Sequence, residues 1–388
     1  MKALRRLALA LSAVLAGASA HAADAAGVSA REIVVGHVSD LSGPIAMLGT
    51  PVRDGMLMRF DEANAAGGVH GRMLRLVVED AGYDPKRGVL AARKLVQRDK
   101  AFAFIATMGT PVVMATMPMV LDAGRLHLFP FSPHKATYEP LHPLKFQNFA
   151  PYQDYMEAAT RHMVERGDYR RSCLLYQDDD YGQEVMRGVE AGLGKLGRPL
   201  VERTGYKRGA TDLSSQIARL RVADCDLVVL ATVVRETVAA MAEARRIGWQ
   251  VDMLVTASGY SAQTHELGGD TVEGLYGVSV LPHPYAEGAN PRLAGWIERY
   301  RARFGVAPNV WSVMGYTLAD MFVRTAEATG RDLTPAAFAR TLERIEFAGD
   351  DFGSPAYRFS ADDHLGNRHG RLAQIRNGRW ELITDYLR

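Results

Sequence analysis

Short β-rich runs alternate with amphipathic helical segments along this chain, and the alternation occurs twice. The first set comprises runs at 33–38, 51–65, 73–79, 84–98, 102–107, 110–123 and 126–129, strand and helix in turn. The second set comprises runs at 173–177, 181–196, 200–206, 213–222, 227–231, 235–247 and 253–257. Strands that alternate with helices of this length are typical of right-handed βαβ units, which form parallel sheets. The sequence therefore predicts the α/β class, with two doubly wound parallel-sheet lobes.

Length, charge and cysteine content narrow the choice of function. The 388 residues suffice for two lobes, since one domain commonly takes about 100–200 residues. A formal net charge of +2 offers no basic surface for nucleic acid, so we expect no nucleic-acid partner. Two cysteines are too few for a disulfide framework or a four-cysteine zinc site. Cys173 and Cys225 lie near the starts of two predicted strands, where they could form one disulfide or remain two buried thiols.

The first 22 residues resemble a secretory signal peptide. Basic residues at the start precede an apolar run at 7–18, and Ala20–Ala22 gives an A-x-A cleavage site. The apolar run is shorter than the roughly 20 residues that a membrane span needs, although an uncleaved anchor or a core helix is the alternative. We expect export of a soluble product, which in a bacterium means the periplasm.

Known catalytic and cofactor motifs are mostly missing from the loops where a ligand would bind. In open α/β sheets these loops follow the carboxyl ends of the strands. Here they fall at 39–49, 108–111, 130–135, 178–182, 232–236 and 258–261. None has the glycine pattern of a dinucleotide or phosphate loop, and the S-x-x-K match at 132–135 lacks its companion motifs. The acidic run at 178–180 could hold a divalent cation, but Asp180 at the start of a helix is the more common arrangement. We expect no enzyme, no cofactor and no metal site.

The same loops are rich in hydroxyl groups. Thr110 and Ser132 come directly after predicted strands, beside helix N-termini whose backbone N–H groups lack partners. Ser42 lies in the first of these loops and is a further candidate. Such a site suits a small anion, above all a carboxylate, although each hydroxyl could simply cap its own helix.

Two stretches resemble type I periplasmic binding proteins of ABC importers, in particular the branched-chain amino acid (leucine/isoleucine/valine-type) receptor family. The first is FDEANAAGGVHGR at 60–72, continued by EDAGYDP at 79–85. The second is YQDDDYG at 176–182, with ARRIGW at 244–249 downstream. The resemblance implies two lobes that close on a ligand like a hinged shell. Three crossovers would join them, near 148–151, 280–284 and 355–357.

The crossovers implied by the resemblance set the domain boundaries. The first lobe would comprise 31–149 and 283–355, and the second would comprise 150–282 and 356–388. The late helical stretches at 291–304 and 312–329 would thereby return to the first lobe, and the strand-rich tail at 356–385 would complete the second.

The resemblance also assigns site residues one by one. Thr110 matches the hydroxyl that holds the ligand carboxylate, Phe131 and Ser132 match a loop with further contacts, and Tyr181 matches a tyrosine that closes over the ligand. The aromatic positions of the family fall near Leu48 and Val233. Tyr83 and Met108 stand where the family has a cysteine pair.

Among the positions where this sequence departs from the family, Ser258 has the largest chemical consequence. It stands where the family has the acid that binds the ligand ammonium, and a buried ammonium without a carboxylate costs several kcal/mol. Glu236 or Asp179 could replace that acid. Arg235 could instead pair with a ligand carboxylate, unless it is a solvated arginine at a helix start. We therefore expect a carboxylate without an α-amine, with an amino acid as the alternative.

The sequence-based functional hypothesis is a monomeric periplasmic receptor that delivers a small organic solute to a membrane ABC permease. One alternative is a sensor of the same fold that signals to a receptor or regulator. The other is a secreted hydrolase that uses Asp178 and a cleft histidine such as His134.

Overall fold

The computed structural model describes residues 26–387, so the predicted signal peptide lies outside the described residues. The first half contains β1 (Glu32–Ser39), α1 (Ala46–Ala65), β2 (Met73–Asp80), α2 (Pro85–Gln97), β3 (Ala103–Ile105), α3 (Thr110–Asp122), β4 (Leu126–Leu128), β5 (Lys145–Phe146), α4 (Tyr152–Gly167), β6 (Ser172–Gln177) and α5 (Asp180–Lys195). The second half contains β7 (Glu202–Tyr206), α6 (Ser214–Val222), β8 (Leu227–Ala231), α7 (Val234–Arg246), β9 (Asp252–Val255), α8 (Ala262–Gly268), β10 (Tyr276–Ser279), α9 (Pro291–Phe304), α10 (Val310–Thr329), α11 (Pro335–Leu342), β11 (Glu346–Phe347), β12 (Tyr357–Arg358), β13 (Arg371–Arg376) and β14 (Arg379–Leu382).

Two sheets organise the chain, as predicted. The first sheet has the order β2-β1-β3-β4-β5, and all its strands are parallel. The second has the order β14-β13-β10-β9-β8-β6-β7, in which only β13 and β14 run antiparallel to their neighbours. The α10 helix packs on α1 beside the first sheet, and α4 packs on α5 beside the second. The predicted doubly wound α/β class is therefore confirmed.

The first helix begins a turn earlier than predicted. Pro51 suggested a start at 51, because proline is favoured in the first turn, but α1 begins at Ala46 and contains Pro51. The reason is the buried carboxylate of Asp40, which accepts hydrogen bonds from the backbone N–H groups of Gly43 and Ile45. These bonds fold the chain into a helical turn before the proline is reached.

Within residues 26–387 the chain crosses between the two lobes three times, namely between β5 and α4, between β10 and α9, and between β12, which pairs with β11 alone, and β13. The last passage comes later than the expected crossover at 355–357. Phe359 stacks on Phe129 with 5.7 Å between ring centroids, and His364 stacks on Phe146 at 3.8 Å. These contacts keep the segment after β12 against the first sheet, although it was expected in the second lobe.

Cys173 and Cys225 form a disulfide, which resolves the two alternatives left by the sequence. Cys173 lies in β6, and Cys225 lies just before β8, the strand that pairs with β6. Within 26–387, no helix is long and apolar enough to cross a membrane, and no cluster of three or more side chains could hold a metal ion.

The disulfide should contribute measurably to stability. Its two cysteines are 52 residues apart, and closing a loop of that length restricts the unfolded chain by about 4 kcal/mol in the chain-entropy model. We expect the double variant Cys173→Ala/Cys225→Ala to lose about 2–4 kcal/mol of unfolding free energy in urea. Dithiothreitol should destabilise the wild type by a similar amount and leave the variant unchanged. Equal stability of the oxidised wild type and the variant would contradict the assignment.

Candidate ligand-binding site

A cavity of about 50 Å³ lies between the two sheets, where the carboxyl ends of their parallel strands face each other. Both lobes contribute to its wall, and so do the first two passages between them, through Phe149, Ala150 and Val280. The lining residues are Ile45, Leu48, Tyr83, Met108, Gly109, Thr110, Phe131, Pro133, Phe149, Ala150, Tyr152, Tyr155, Tyr181, Val233, Ala257, Ser258, Val280, Trp311 and Met314.

Helix N-termini converge on this cavity. Thr110 and Tyr152 are the first residues of α3 and α4, and Tyr181 is the second residue of α5. Val233 caps α7, and Trp311 is the second residue of α10. Each N-terminus carries a partial positive charge from its free N–H groups and the helix dipole. The backbone alone therefore gives the cavity a positive potential.

The side chains that line the cavity are uncharged. None of the residues that form the cavity wall in the described chain is acidic or basic. Apolar and aromatic groups dominate, and hydroxyl groups come from Tyr83, Thr110, Tyr152, Tyr155, Tyr181 and Ser258. Such a wall can donate hydrogen bonds to an anion, but it offers no carboxylate to a cation.

Ser132 orients the hydroxyl group of Thr110. Its Oγ donates to Thr110 Oγ1 at 2.9 Å, and both residues are buried. Because that bond uses a lone pair of Thr110, the hydroxyl group of Thr110 keeps its own proton to donate within the cavity, where the hydroxyl group of Tyr152 is one acceptor. Ser132 lies beneath the wall instead of in it, so it supports the site without lining it.

The second lobe holds its tyrosine in a similar way. Tyr181 Oη lies 2.6 Å from Thr256 Oγ1 and donates to the carbonyl oxygen of Thr232 at 3.1 Å. Burial raises the pKa of Tyr181 far above its usual value. Burial also raises the pKa of Tyr152 to about 12, although hydrogen bonds to Thr110 and Ser258 favour the phenolate. Both phenols are therefore neutral at any physiological pH.

The structure brings together most of the residues that were predicted for the site. Leu48, Thr110, Phe131, Tyr181, Val233 and Ser258 all line the cavity. Ser42 does not, because its exposed hydroxyl donates to Asp80 Oδ2 at 2.5 Å. Arg235 does not either, because its side chain is exposed while its neighbours Val234 and Glu236 are buried.

The two acids that could have replaced the missing carboxylate also lie outside the cavity wall. Asp179 caps α5, accepting the N–H of Tyr181 at 3.1 Å, which is the capping role expected of Asp180. Burial raises the pKa of Glu236, and backbone N–H groups of Glu236 and Gly209 partly oppose that shift. Neither acid is placed to meet a ligand ammonium.

The acid–base pair required by the hydrolase alternative does not form. His134 Nδ1 accepts the N–H of Ala136 at 3.0 Å, and Nε2 lies 3.8 Å from the buried carboxylate of Glu184. Asp178 instead starts the turn after β6, where its N–H donates to the carbonyl oxygen of Tyr206 at 2.9 Å. His134 therefore faces Glu184 and not Asp178.

Several aromatic residues of the wall were not predicted. Tyr152 and Tyr155 project from the first turn of α4, a helix that sequence analysis missed, although their spacing of three residues signalled one helical face. Phe149 precedes that helix, and Trp311 follows the Asn309 cap of α10. Phe149 is in a loop, which has no periodic signal, and Trp311 was missed because α10 begins two residues before the predicted start at 312.

Comparisons with known proteins agree with this architecture. A family model described as periplasmic binding protein matches residues 32–379. The Leu/Ile/Val-binding protein homolog 7 of Brucella suis is 24% identical over 397 residues, which cover 98% of this chain and 96% of the relative. A fatty acid ABC transporter substrate-binding protein from Thermomonospora curvata superposes with a TM-score of 0.83 at 21% identity, covering 94% of each chain. A solute-binding protein from R. palustris, solved with benzoate, superposes at 0.80 and 16% identity, covering 91% of this chain and 95% of its own.

Gly109 should be essential to the shape of the cavity. It has a φ of +86°, and a Cβ atom there would lie 2.4 Å from Cε2 of Tyr83. Gly124 is a matched control, with a φ of +68° and no heavy atom within 4 Å of its would-be Cβ. We expect Gly124→Ala to cost about 1 kcal/mol of unfolding free energy through backbone strain. Gly109→Ala should cost about 1–3 kcal/mol more, because the ring must move. Urea unfolding measures both, and equal losses would show that the ring is not confined.

Proposed function

The chain belongs to the periplasmic binding protein family, and we propose that it captures a small amine-free organic acid between its two lobes. Delivery to a membrane ABC permease follows from that role, and the receptor would act in the periplasm as a monomer. The observation that carries the ligand class is the combination of converging helix N-termini with a wall that has no acidic side chain.

The electrostatics favour a carboxylate over a zwitterion. A carboxylate at the N-terminus of α3 would accept hydrogen bonds from Thr110 and from free backbone N–H groups, and each bond to a charged group contributes about 1.5–3 kcal/mol. An α-ammonium would meet the same positive helix ends without a carboxylate partner. Ser258 can accept one hydrogen bond from it, but cannot neutralise its charge.

The apolar part of the wall suits a hydrocarbon or aromatic body. Leu48, Phe131, Val233, Trp311 and Met314 supply most of the apolar contact surface. We expect compact acids to fit this enclosed cavity better than long chains. Two structural neighbours carry fatty acid and benzoate in their descriptions, which lends support to a monocarboxylate with an apolar body.

An amino acid is the second candidate, because the Brucella relative is named as a Leu/Ile/Val-binding homolog. It would require an anionic partner for the ammonium group, and none of the residues that line the described wall is acidic. We therefore rank amino acids below their amine-free counterparts.

Matched ligand pairs separate the two candidates. The mature protein, unfolded and refolded to remove carried-over ligand, would be screened by thermal shift against leucine and 4-methylpentanoate, valine and 3-methylbutanoate, phenylalanine and 3-phenylpropanoate, and benzoate. A ligand at 100 times its Kd adds about 2.7 kcal/mol of stability, which raises Tm by a few degrees. We expect shifts with the acids alone.

The substitution Ser258→Asp provides the reciprocal experiment. It places a carboxylate in the wall, so the preference should move toward the amino acid of each pair. Shifts of the wild type with the amino acids, but not with the acids, would overturn the proposed ligand class.

Thr110 should contribute directly to affinity for the acid. Thr110→Val removes a hydroxyl group in the cavity wall, and loss of one hydrogen bond to a carboxylate should raise Kd about 10- to 100-fold in calorimetric titration. Thr116→Val is the matched control on the same helix, because the buried Thr116 hydroxyl donates to the carbonyl oxygen of Val112 at 2.8 Å. The control should bind as the wild type does. Equal effects of the two variants would argue against a carboxylate at Thr110.

A further inference from the structure

Tyr83 lines the cavity from the first lobe and contacts two side chains of the second lobe. Among the described residues, it is the one first-lobe side chain of the wall that makes both a hydrogen bond and a cation–π contact with the second lobe. Its Oη accepts a hydrogen bond from Nε2 of Gln177, at the end of β6, at 3.0 Å. The guanidinium of Arg208, in the loop after β7, lies 5.2 Å from the centre of its ring. The ring is 4% exposed. One side chain thus meets the ligand cavity and the opposite lobe at the same time.

The first lobe fixes the position of this ring. Tyr83 follows β2 with a φ of +56°, an uncommon conformation for a residue with a side chain. The ring then occupies the space that Gly109 leaves free at the start of α3. Since both the backbone turn and the glycine are needed to seat it, the ring has little freedom to swing away from the cavity.

The second lobe presents a prepared contact for the phenol. Gln177 Nε2 also donates to Asp179 Oδ2 at 2.6 Å, which fixes the amide of Gln177 with its nitrogen toward Tyr83. Asp179 in turn is held at the start of α5 by the N–H of Tyr181. The hydrogen bond to Tyr83 therefore forms only when the lobes are brought together with the ring in its observed place.

We propose that Tyr83 is a specificity-determining residue that limits the length of the acid, with its ring held against the ligand by Gln177 and Arg208 of the opposite lobe. This inference rests on the proposed function and deepens it. A longer acid would have to displace the ring, and would thereby break the contacts that hold the lobes together. Compact acids leave both the ring and the contacts in place.

The two parts of the side chain have separable effects. The ring determines which acids fit, so Tyr83→Ala should change the order of affinities. The hydroxyl group bonds to Gln177 of the opposite lobe, so Tyr83→Phe should weaken the binding of every acid by a common factor. Loss of one neutral hydrogen bond corresponds to a roughly 2- to 12-fold increase in Kd.

Two series of probes test this, namely benzoate, 4-ethylbenzoate and 4-butylbenzoate, and butanoate, hexanoate and octanoate. Calorimetric titration would give Kd for the wild type, Tyr83→Ala, Tyr83→Phe and the control Tyr206→Phe. Tyr206 is a buried tyrosine whose hydroxyl group donates to the carbonyl oxygen of Ala231 within the second lobe, at 3.4 Å. Its variant should leave both affinity and order unchanged.

In each series, we expect the wild type to bind the shortest acid that binds at all most tightly. Tyr83→Ala should improve the affinity for the longest acid, relative to the affinity for that shortest acid, by about tenfold or more. If Tyr83→Ala lowered the affinity for every acid by the same factor, the ring would have only a structural role, and the inference would be overturned. An effect of Tyr206→Phe as large as that of Tyr83→Phe would overturn it as well.

Measuring the distance between the two lobes tests this inference independently of the proposed function. Both cysteines of the chain are used in the disulfide, so spin labels attach only to introduced cysteines. Leu90→Cys in α2 and Val222→Cys at the end of α6 are suitable, since these side chains are 64% and 88% exposed. If no acid binds the wild type, the proposed function fails. Tyr83→Phe should still shift the distances toward an open form, and an unchanged distribution would overturn the contact with Gln177.

Discussion

The meeting of helix N-termini at the facing edges of two parallel sheets is the constraint on which the rest of this molecule depends. A parallel sheet requires each strand to be followed by a helix that returns along its face, so every such helix starts at the carboxyl edge. When two sheets place these edges opposite each other, the positive ends of α3, α4, α5 and α7 surround one space. The potential in that space is a property of the topology, and the side chains then refine it with hydroxyl groups and apolar surface.

Much of this topology could be predicted from the sequence. The strand and helix periods along each set of elements are regular, and a glycine pair such as Gly67 and Gly68 marks the end of α1. The α4 helix was missed because its first turn is rich in tyrosine and polar residues, although Tyr152, Met156 and Met163 lie on one buried face. The start of α1 was misplaced because Asp40, the acid that holds the turn before the helix, lies outside the local pattern that Pro51 dominates.

The site could be predicted at the level of loops but not of side-chain directions. Strand ends pointed to the loops of Thr110, Tyr181 and Ser258, and these residues line the cavity, because the edge of a parallel sheet is fixed by chain direction. Arg235 and Ser132 show the limit. One residue of helical rotation separates Arg235, which is exposed, from the buried Glu236, and Ser132 is buried behind Thr110 by a hydrogen bond that no local pattern encodes.

The passages of the chain between the lobes also affect the order in which this protein can fold. Arg59 in α1 pairs with Asp320 in α10 across 261 residues of sequence, and the α10 helix covers the face that α1 would otherwise expose. The strands and helices from β6 to β10 lie between these two helices in sequence, and form the greater part of the second lobe. An N-terminal fragment that ended after β10 would hold most of the second lobe, yet would leave the apolar face of α1 uncovered. Such a fragment would keep apolar surface exposed until α10 arrives, and exposed apolar surface is what makes folding intermediates prone to aggregate.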